Sequence, residues 1–183
     1  MILGDNFFYG QSLSKLLLKN TKLKNGARVV LHKVLKPESF GVAKTNNQNK
    51  IIKIKEKPKK FFSNLAITGL YFFDNSVIKY AKKLKPSARG EIEIVDLLNI
   101  YKSKNQLYAD LIGRGGAWLD TGSMDDFYKT STFVSSIENQ QGLKIACLEE
   151  IAFNNKWINK SHLKQSMKFY GNCDYSKYLA KLL

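Results

Sequence analysis

Apolar and polar positions along the chain switch repeatedly between a period near two and a period near 3.6, which predicts alternating strands and helices. "MIL" before Gly4-Asp5-Asn6 reads as the end of a buried strand that runs into a loop carrying a carboxylate. Residues 11–20, "QSLSKLLLKN", place Leu13, Leu16 and Leu17 at helical spacing, and "ARVVLHKVL" after Asn25-Gly26 reads as a strand. "FGVAKTNNQNKIIKIKEKP" predicts a hairpin turning at Asn46 to Asn49. "NLAITGLYFFD" is almost continuously apolar, as a strand buried on both faces would be. "NSVIKYAKKL" follows as a helix capped by Asp74 or Asn75, and the next helix carries Ile94, Leu97, Leu98 and Tyr101 on one face. "QLYADLIG" and "AWLD" read as strands. Ser123 and Asp126 form the start signal of a long helix that Gly142 ends. Beyond it two short helices are expected, the first capped by Asn159 and carrying lysines at 156, 160, 164 and 168 as a solvated stripe. The pattern as a whole is that of an α/β layered domain.

Composition narrows the possible functions. With 44% hydrophobic and 25% charged residues the chain is globular, and no apolar run approaches the roughly 18 residues of a membrane span. No signal-peptide pattern opens the sequence, so a cytoplasmic location is expected. Two cysteines and two histidines, none at metal-ligand spacing, provide neither a disulfide framework nor a zinc site. The formal charge of +15 raises the question of a nucleic-acid partner. However, 27 of the 30 basic residues are lysines spread along the chain, in the composition that A/T-rich codons favour. A positive field that attracts small phosphorylated molecules is the expectation, and nucleic acid is not an expected partner.

Individual residues then suggest chemistry. Asp5 and Asp120 each stand where a strand gives way to a loop, the edge at which α/β sheets bind ligands. Two carboxylates meeting there could hold Mg2+, or could be turn formers. Glu56 and Lys57 lie at a strand end fixed by Pro58, and could take sugar hydroxyls and phosphate. Arg89 offers a scarce guanidinium fork suited to phosphate, or a helix-start ion pair. Gly69 and Gly41 interrupt strand patterns, as they do where a ligand or a second backbone comes close.

In order along the chain, "LGDNFFYG", "FGV", "EKP", "NLAITGLYFFD", "LKPSARGEIEI", "GRGGAWLDTG", "IENQQGLKIACLEEIAF" and "YSKYL" resemble the glucose-1-phosphate thymidylyltransferase family over essentially the whole sequence. The resemblance implies a partial three-layer α/β/α nucleotidyltransferase fold, Rossmann-like with a mixed sheet, and C-terminal helices. It implies a division into residues 1–142, the sugar-phosphate half of the catalytic domain, and 143–183, a helical segment for subunit contacts. Asp5 and Asp120 match the family's Mg2+ ligands, with Lys57 a third catalytic group. Asn6, Gly41, Glu56, Lys57, Thr68, Gly69, Tyr71, Arg89 and Trp118 match substrate-contacting positions. Residues 113–114 and 149–153 resemble regions of subunit contact and nucleotide regulation. The implied partners are glucose 1-phosphate, dTTP and dTDP-glucose, together with a further copy of the chain or a separate N-terminal fragment. The implied reaction is in-line attack of the sugar phosphate on the nucleotide α-phosphorus.

The sequence departs from the pattern at Phe40, Lys55, Val95, Leu98 and Gly116, none of which removes a catalytic group. The family's glycine-rich GxGTRLxPxT loop has no counterpart here, so the chain by itself is expected to be inactive. A non-catalytic sugar-phosphate-binding or regulatory subunit is the alternative.

Overall fold

The computed structural model describes residues 1–87 and 90–183; the expected substrate contact Arg89 lies outside the described residues. The chain divides into two compact units, Met1–Asp126 and Phe127–Leu183.

The first unit contains β1 (Asn6–Tyr9), α1 (Leu13–Asn20), β2 (Ala27–Lys33), β3 (Gly41–Thr45), β4 (Ile51–Glu56), β5 (Leu65–Phe73), α2 (Ser76–Ala81), α3 (Ile94–Ser103), β6 (Leu107–Leu111) and β7 (Ala117–Asp120). Five strands form one mixed sheet in the order β4, β3, β5, β2, β6, and β1 pairs with β7 in a separate antiparallel ribbon. Only β2 and β6 run parallel within the larger sheet. The polar turn at residues 46–49 lies between β3 and β4 as the pattern requires, and β5 is buried along most of its length. The opening segment differs from its expectation. Ile2 forms an isolated antiparallel bridge with Leu70, while Met1, Ile2 and Leu3 are exposed. The residues after Asp5 form a strand, not a loop, because "NFFY" finds a partner in β7.

Alternation decides what each strand buries. Ala27, Val29 and Leu31 of β2 face a core completed by Leu97, Leu98 and Tyr101, the expected face of α3. A side chain such as Leu98, fully buried, contributes about 1.5–3 kcal/mol. Tyr101 adds a polar anchor. Its hydroxyl donates to Asp74 Oδ1 at 2.9 Å, and Gly26 N–H donates to Asp74 Oδ2 at 2.6 Å. Ser76 N–H also donates to Asp74 Oδ1, so Asp74 is the group that satisfies the start of α2. Gly26 must be glycine: at φ +84° a Cβ would lie 2.6 Å from the Gln106 carbonyl oxygen.

The second unit holds most of α4 (Met124–Gln141), followed by α5 (Leu148–Asn154), α6 (Lys160–Tyr170) and α7 (Asp174–Ala180). Asn159 caps α6 through Ser161 N–H and His162 N–H. Lysines 160, 164 and 168 are exposed, as a solvated stripe should be, whereas Lys156 stands outside the helix at φ 61°. The sequence pattern does not anticipate α5. It begins at Cys147 without a side-chain cap, and Lys156 adopts the left-handed conformation that glycine usually supplies beyond a helix end. Cys147, Leu163, Tyr178 and Leu179 form this unit's core. No helix among the described residues is long and apolar enough to cross a membrane.

Candidate active site

A cleft of about 240 Å³ opens in the first unit where β3, β5 and the β1–β7 ribbon approach one another. It is lined by Asp5, Asn6, Gly41, Glu56, Lys57, Gly69, Tyr71, Trp118 and Asp120. Six of them stand out from sequence context, and Asn6, Tyr71 and Trp118 are expected from the family resemblance. Leu3, Ser39, Phe40, Ile67, Ile94 and Val95 complete the wall.

Strand pairing brings the two aspartates together. Asn6 lies opposite Asp120 across the ribbon, and the Asp5 carbonyl accepts from Thr121 N–H at 2.8 Å and from the Thr121 hydroxyl at 2.9 Å. A Cβ placed on Gly122 would sit 3.1 Å from Asp120 Oδ1 and 3.9 Å from Asp5 Oδ2. The two carboxylates therefore border one small space, which a side chain at Gly122 would enter. One oxygen of each is held: Asn6 Nδ2 donates to Asp5 Oδ1 at 2.7 Å, and Gly122 N–H donates to Asp120 Oδ1 at 2.9 Å. Among the described residues neither carboxylate has a lysine or arginine partner within 4.0 Å. Two hard oxygen donors beside an open gap suit Mg2+, which fills its remaining positions with water and phosphate oxygens.

Glycines make close approaches possible. A Cβ on Gly69 would lie 2.3 Å from Asn6 Nδ2, so Asn6 can cross the face of β5 only because residue 69 has no side chain. A Cβ on Gly41 would lie 2.8 Å from Glu56 Oε2, its register partner across β3 and β4. Lys57 follows Glu56 at φ 39°, a strained value for a lysine, with its N–H donated to Phe40 carbonyl at 3.0 Å. The turn takes Lys57 off the strand course, and both Glu56 and Lys57 line the cleft, although adjacent residues of a regular strand face opposite ways. Burial, with the nearby charges of Glu56 and Asp5, pushes the Tyr71 hydroxyl well above its ordinary pKa, so it remains a neutral donor.

Thr68 differs from its expectation. It is fully buried, does not line the cleft, and its hydroxyl donates to the Val30 carbonyl at 2.8 Å. Ile67, Gly69 and Tyr71 occupy the cleft side of β5, and the pleat turns Thr68 to the other side. Ile94, the end of the motif "LKPSARGEIEI", and Val95, a departure from the family pattern, are not expected at the site, and the fold brings them to the cleft as an apolar wall.

Comparison with known proteins identifies the family. The family model described as Nucleotidyl transferase matches residues 1–137. The chain belongs to the nucleotidyl transferase family. A Neisseria meningitidis (serogroup A / serotype 4A) protein named glucose-1-phosphate thymidylyltransferase is 43% identical over all 183 residues. A Mycobacterium tuberculosis (H37Rv) protein of the same name is 38% identical, again across the whole chain. The chain spans 64% and 63% of the length of these two relatives. A Bacillus anthracis protein provisionally given that name, solved in complex with sucrose, superposes with a TM-score of 0.63 at 42% identity. That match covers 72% of this chain and 52% of the other. A UDP-glucose pyrophosphorylase solved with UDP-glucose shares the fold at 22% identity and a TM-score of 0.64, over 74% of this chain and 55% of the other.

Proposed function

We propose that the cleft is the sugar-phosphate half of a glucose-1-phosphate thymidylyltransferase active site, acting in the transfer of a thymidylyl group from dTTP to glucose 1-phosphate. The observation that carries the reading is the convergence on one cleft of two aspartates without a cationic partner, a glutamate and a lysine, drawn from three separate stretches of sequence. Glu56 accepts hydrogen bonds from sugar hydroxyls, and Gly41 leaves room for its carboxylate. The Lys57 ammonium neutralises the sugar phosphate, which must approach a second polyanion. Trp118, against Phe40 with ring centroids 5.1 Å apart, gives the cleft an apolar wall that excludes water. Asp5 and Asp120 would hold Mg2+, which supplies charge neutralisation on the phosphates when bound. The sugar-phosphate oxygen then attacks the nucleotide α-phosphorus in line, and pyrophosphate leaves. Catalysis is positioning and electrostatics, with no covalent enzyme intermediate required.

Calorimetric titration of the 183-residue chain with glucose 1-phosphate in Mg2+ tests the reading. Binding is expected, and Lys57→Ala should weaken it about tenfold, the size of one charged hydrogen bond. No heat at millimolar sugar phosphate from a folded chain would overturn the proposal.

A further inference from the structure

Asn6 lies between the indole of Trp118 and the carboxylate of Asp5. Its Oδ1 accepts from Trp118 Nε1 at 2.6 Å and from Gly69 N–H at 3.2 Å, while its Nδ2 donates to Asp5 Oδ1 at 2.7 Å. The amide can face only one way. An indole N–H and a backbone N–H only donate, and an ionised carboxylate only accepts, so a flipped amide would oppose like groups at every contact. Both acceptor positions of Oδ1 are used, which leaves a single Nδ2 hydrogen for any ligand. Trp118 is itself fixed: it is 8% exposed and packs against Phe40 and, edge-on, His32.

We propose that Trp118 and Asn6 are positioning residues, acting as a relay that ties Asp5 Oδ1 and so presents Asp5 Oδ2 to a divalent cation shared with Asp120. The inference rests on the reading of Asp5 and Asp120 as metal ligands and extends it to residues that are not ligands. Trp118 acts without touching Asp5. Gly69 belongs to the relay twice, as an N–H donor and as the position whose missing side chain admits Asn6.

Mn2+ binding, followed by electron paramagnetic resonance on the 183-residue chain, tests the relay without any need for turnover. Trp118→Phe keeps an aromatic ring in the packing and removes the indole N–H along with part of the ring volume. It should weaken Mn2+ binding about tenfold, the lower end of the range found when a metal ligand loses its supporting hydrogen bond, because Asn6 itself remains. Asn6→Ala should weaken binding at least as much, and the double variant should be no worse than Asn6→Ala alone, because the tryptophan acts through the asparagine. Additive effects, or wild-type affinity in Trp118→Phe while Asp5→Asn loses the ion, would overturn the relay and leave the metal reading intact. Wild-type affinity in Asp5→Asn would overturn both. Nuclear magnetic resonance of the wild-type protein gives a readout independent of whether Trp118→Phe folds. Mg2+ should shift the side-chain amide signals of Asn6 and the indole signal of Trp118, and should shift neither in Asp5→Asn. An indole signal indifferent to Mg2+ would also sink the relay.

Discussion

In the second unit Glu138 and Glu149 have both carboxylate oxygens engaged. Glu138 accepts from Ile145 N–H at 2.9 Å on one oxygen and from Lys144 at 2.5 Å on the other. Glu149 accepts from Tyr170 at 3.0 Å on one oxygen and from Tyr175 at 2.5 Å on the other. In the first unit Asp5 and Asp120 are each held by one neutral N–H and border a shared gap. The contrast separates two uses of one functional group. A carboxylate whose oxygens are all paired is part of the scaffold, and two held by a single oxygen each, facing one gap in a cleft, have a valence to offer. Asp74 shows that the distinction follows role and not unit: in the first unit, three donors occupy both of its oxygens.

The strongest way to break this contrast is to remove a carboxylate of each kind. Asp74→Ala would leave Gly26 N–H, Ser76 N–H and the Tyr101 hydroxyl without their acceptor. Each unpaired buried donor costs about 1–3 kcal/mol, so with partial rescue by water the loss should be roughly 3 kcal/mol in urea unfolding. Asp120→Ala should stay within about 0.5 kcal/mol of wild type. Metal binding should invert the order, with Asp120→Ala weakening Mn2+ roughly 10- to 100-fold and Glu149→Gln leaving it unchanged. An Asp120 variant as destabilised as the Asp74 variant would make the cleft carboxylates scaffold as well.

Gly69→Ala sharpens the comparison from the backbone. The new Cβ would displace Asn6, with an overpacking cost of about 1–3 kcal/mol and a loss of metal affinity that Gly122→Ala approaches by a different route. Unchanged Mn2+ affinity in Gly69→Ala would show that the ligands need no fixed amide between them.

Titration should distinguish the two kinds of carboxylate next. Burial raises the pKa of Asp74, but its hydrogen bonds, led by Gly26 N–H, more than reverse this and hold it below its ordinary value. Burial opposes the tyrosine hydrogen bonds at Glu149 in the same way, and again the bonds prevail. A depressed folded pKa contributes stability that is present above the unfolded value near 4 and is lost as pH falls through the folded value. Both units should therefore weaken on acidification below about pH 4. Raised tyrosines give both units an alkaline limb, through Tyr71 and Tyr101 in the first and Tyr178 in the second. Burial and the bond to Glu150 push the Tyr178 hydroxyl up to about 12. That raised value supports stability fully below about pH 10 and loses it as pH climbs through about 12. Tyr178→Phe should flatten the second unit's limb at a cost near 1 kcal/mol, read from unfolding midpoints across pH.

Much of the cleft was legible because strand ends, glycines inside strands and the order of short motifs are local signals. Asp5, Asn6, Glu56, Lys57, Gly69 and Asp120 each carried one. Thr68 did not follow its neighbours, because a motif names consecutive residues while a pleated strand sends them to opposite faces. Ile94 and Val95 reach the cleft from the start of α3, where the helical pattern assigns Ile94 to the core face and gives no sign of a site. Helix α5 escaped because its start lacks a side-chain cap and Lys156, not a glycine, takes the left-handed position beyond its end at Asn154. The Trp118–Asn6–Asp5 chain spans more than a hundred residues of sequence and becomes visible only once β1 lies against β7.

The smallest predicted effect concerns the lysines. Lys44, Lys53, Lys55, Lys59 and Lys60 are exposed around the β3–β4 hairpin that supplies Glu56 and Lys57 to the cleft. Lys44 lies directly opposite Lys53, an arrangement that like charges disfavour by a few tenths of a kcal/mol. Coding bias would place lysines here whatever they do, whereas a role in ligand capture would show as steering. Replacing Lys53, Lys55, Lys59 and Lys60 with glutamine should slow association of glucose 1-phosphate a few-fold at about 10 mM salt and hardly at all near 1 M, where the screening length shrinks to about 3 Å. The same variant should be marginally more stable than wild type, since one opposed pair is relieved. Stopped-flow association rates across ionic strength decide between the two. Equal rates at low salt would assign the hairpin's charge to composition alone and leave Lys57 as the cation in this stretch that serves the cleft.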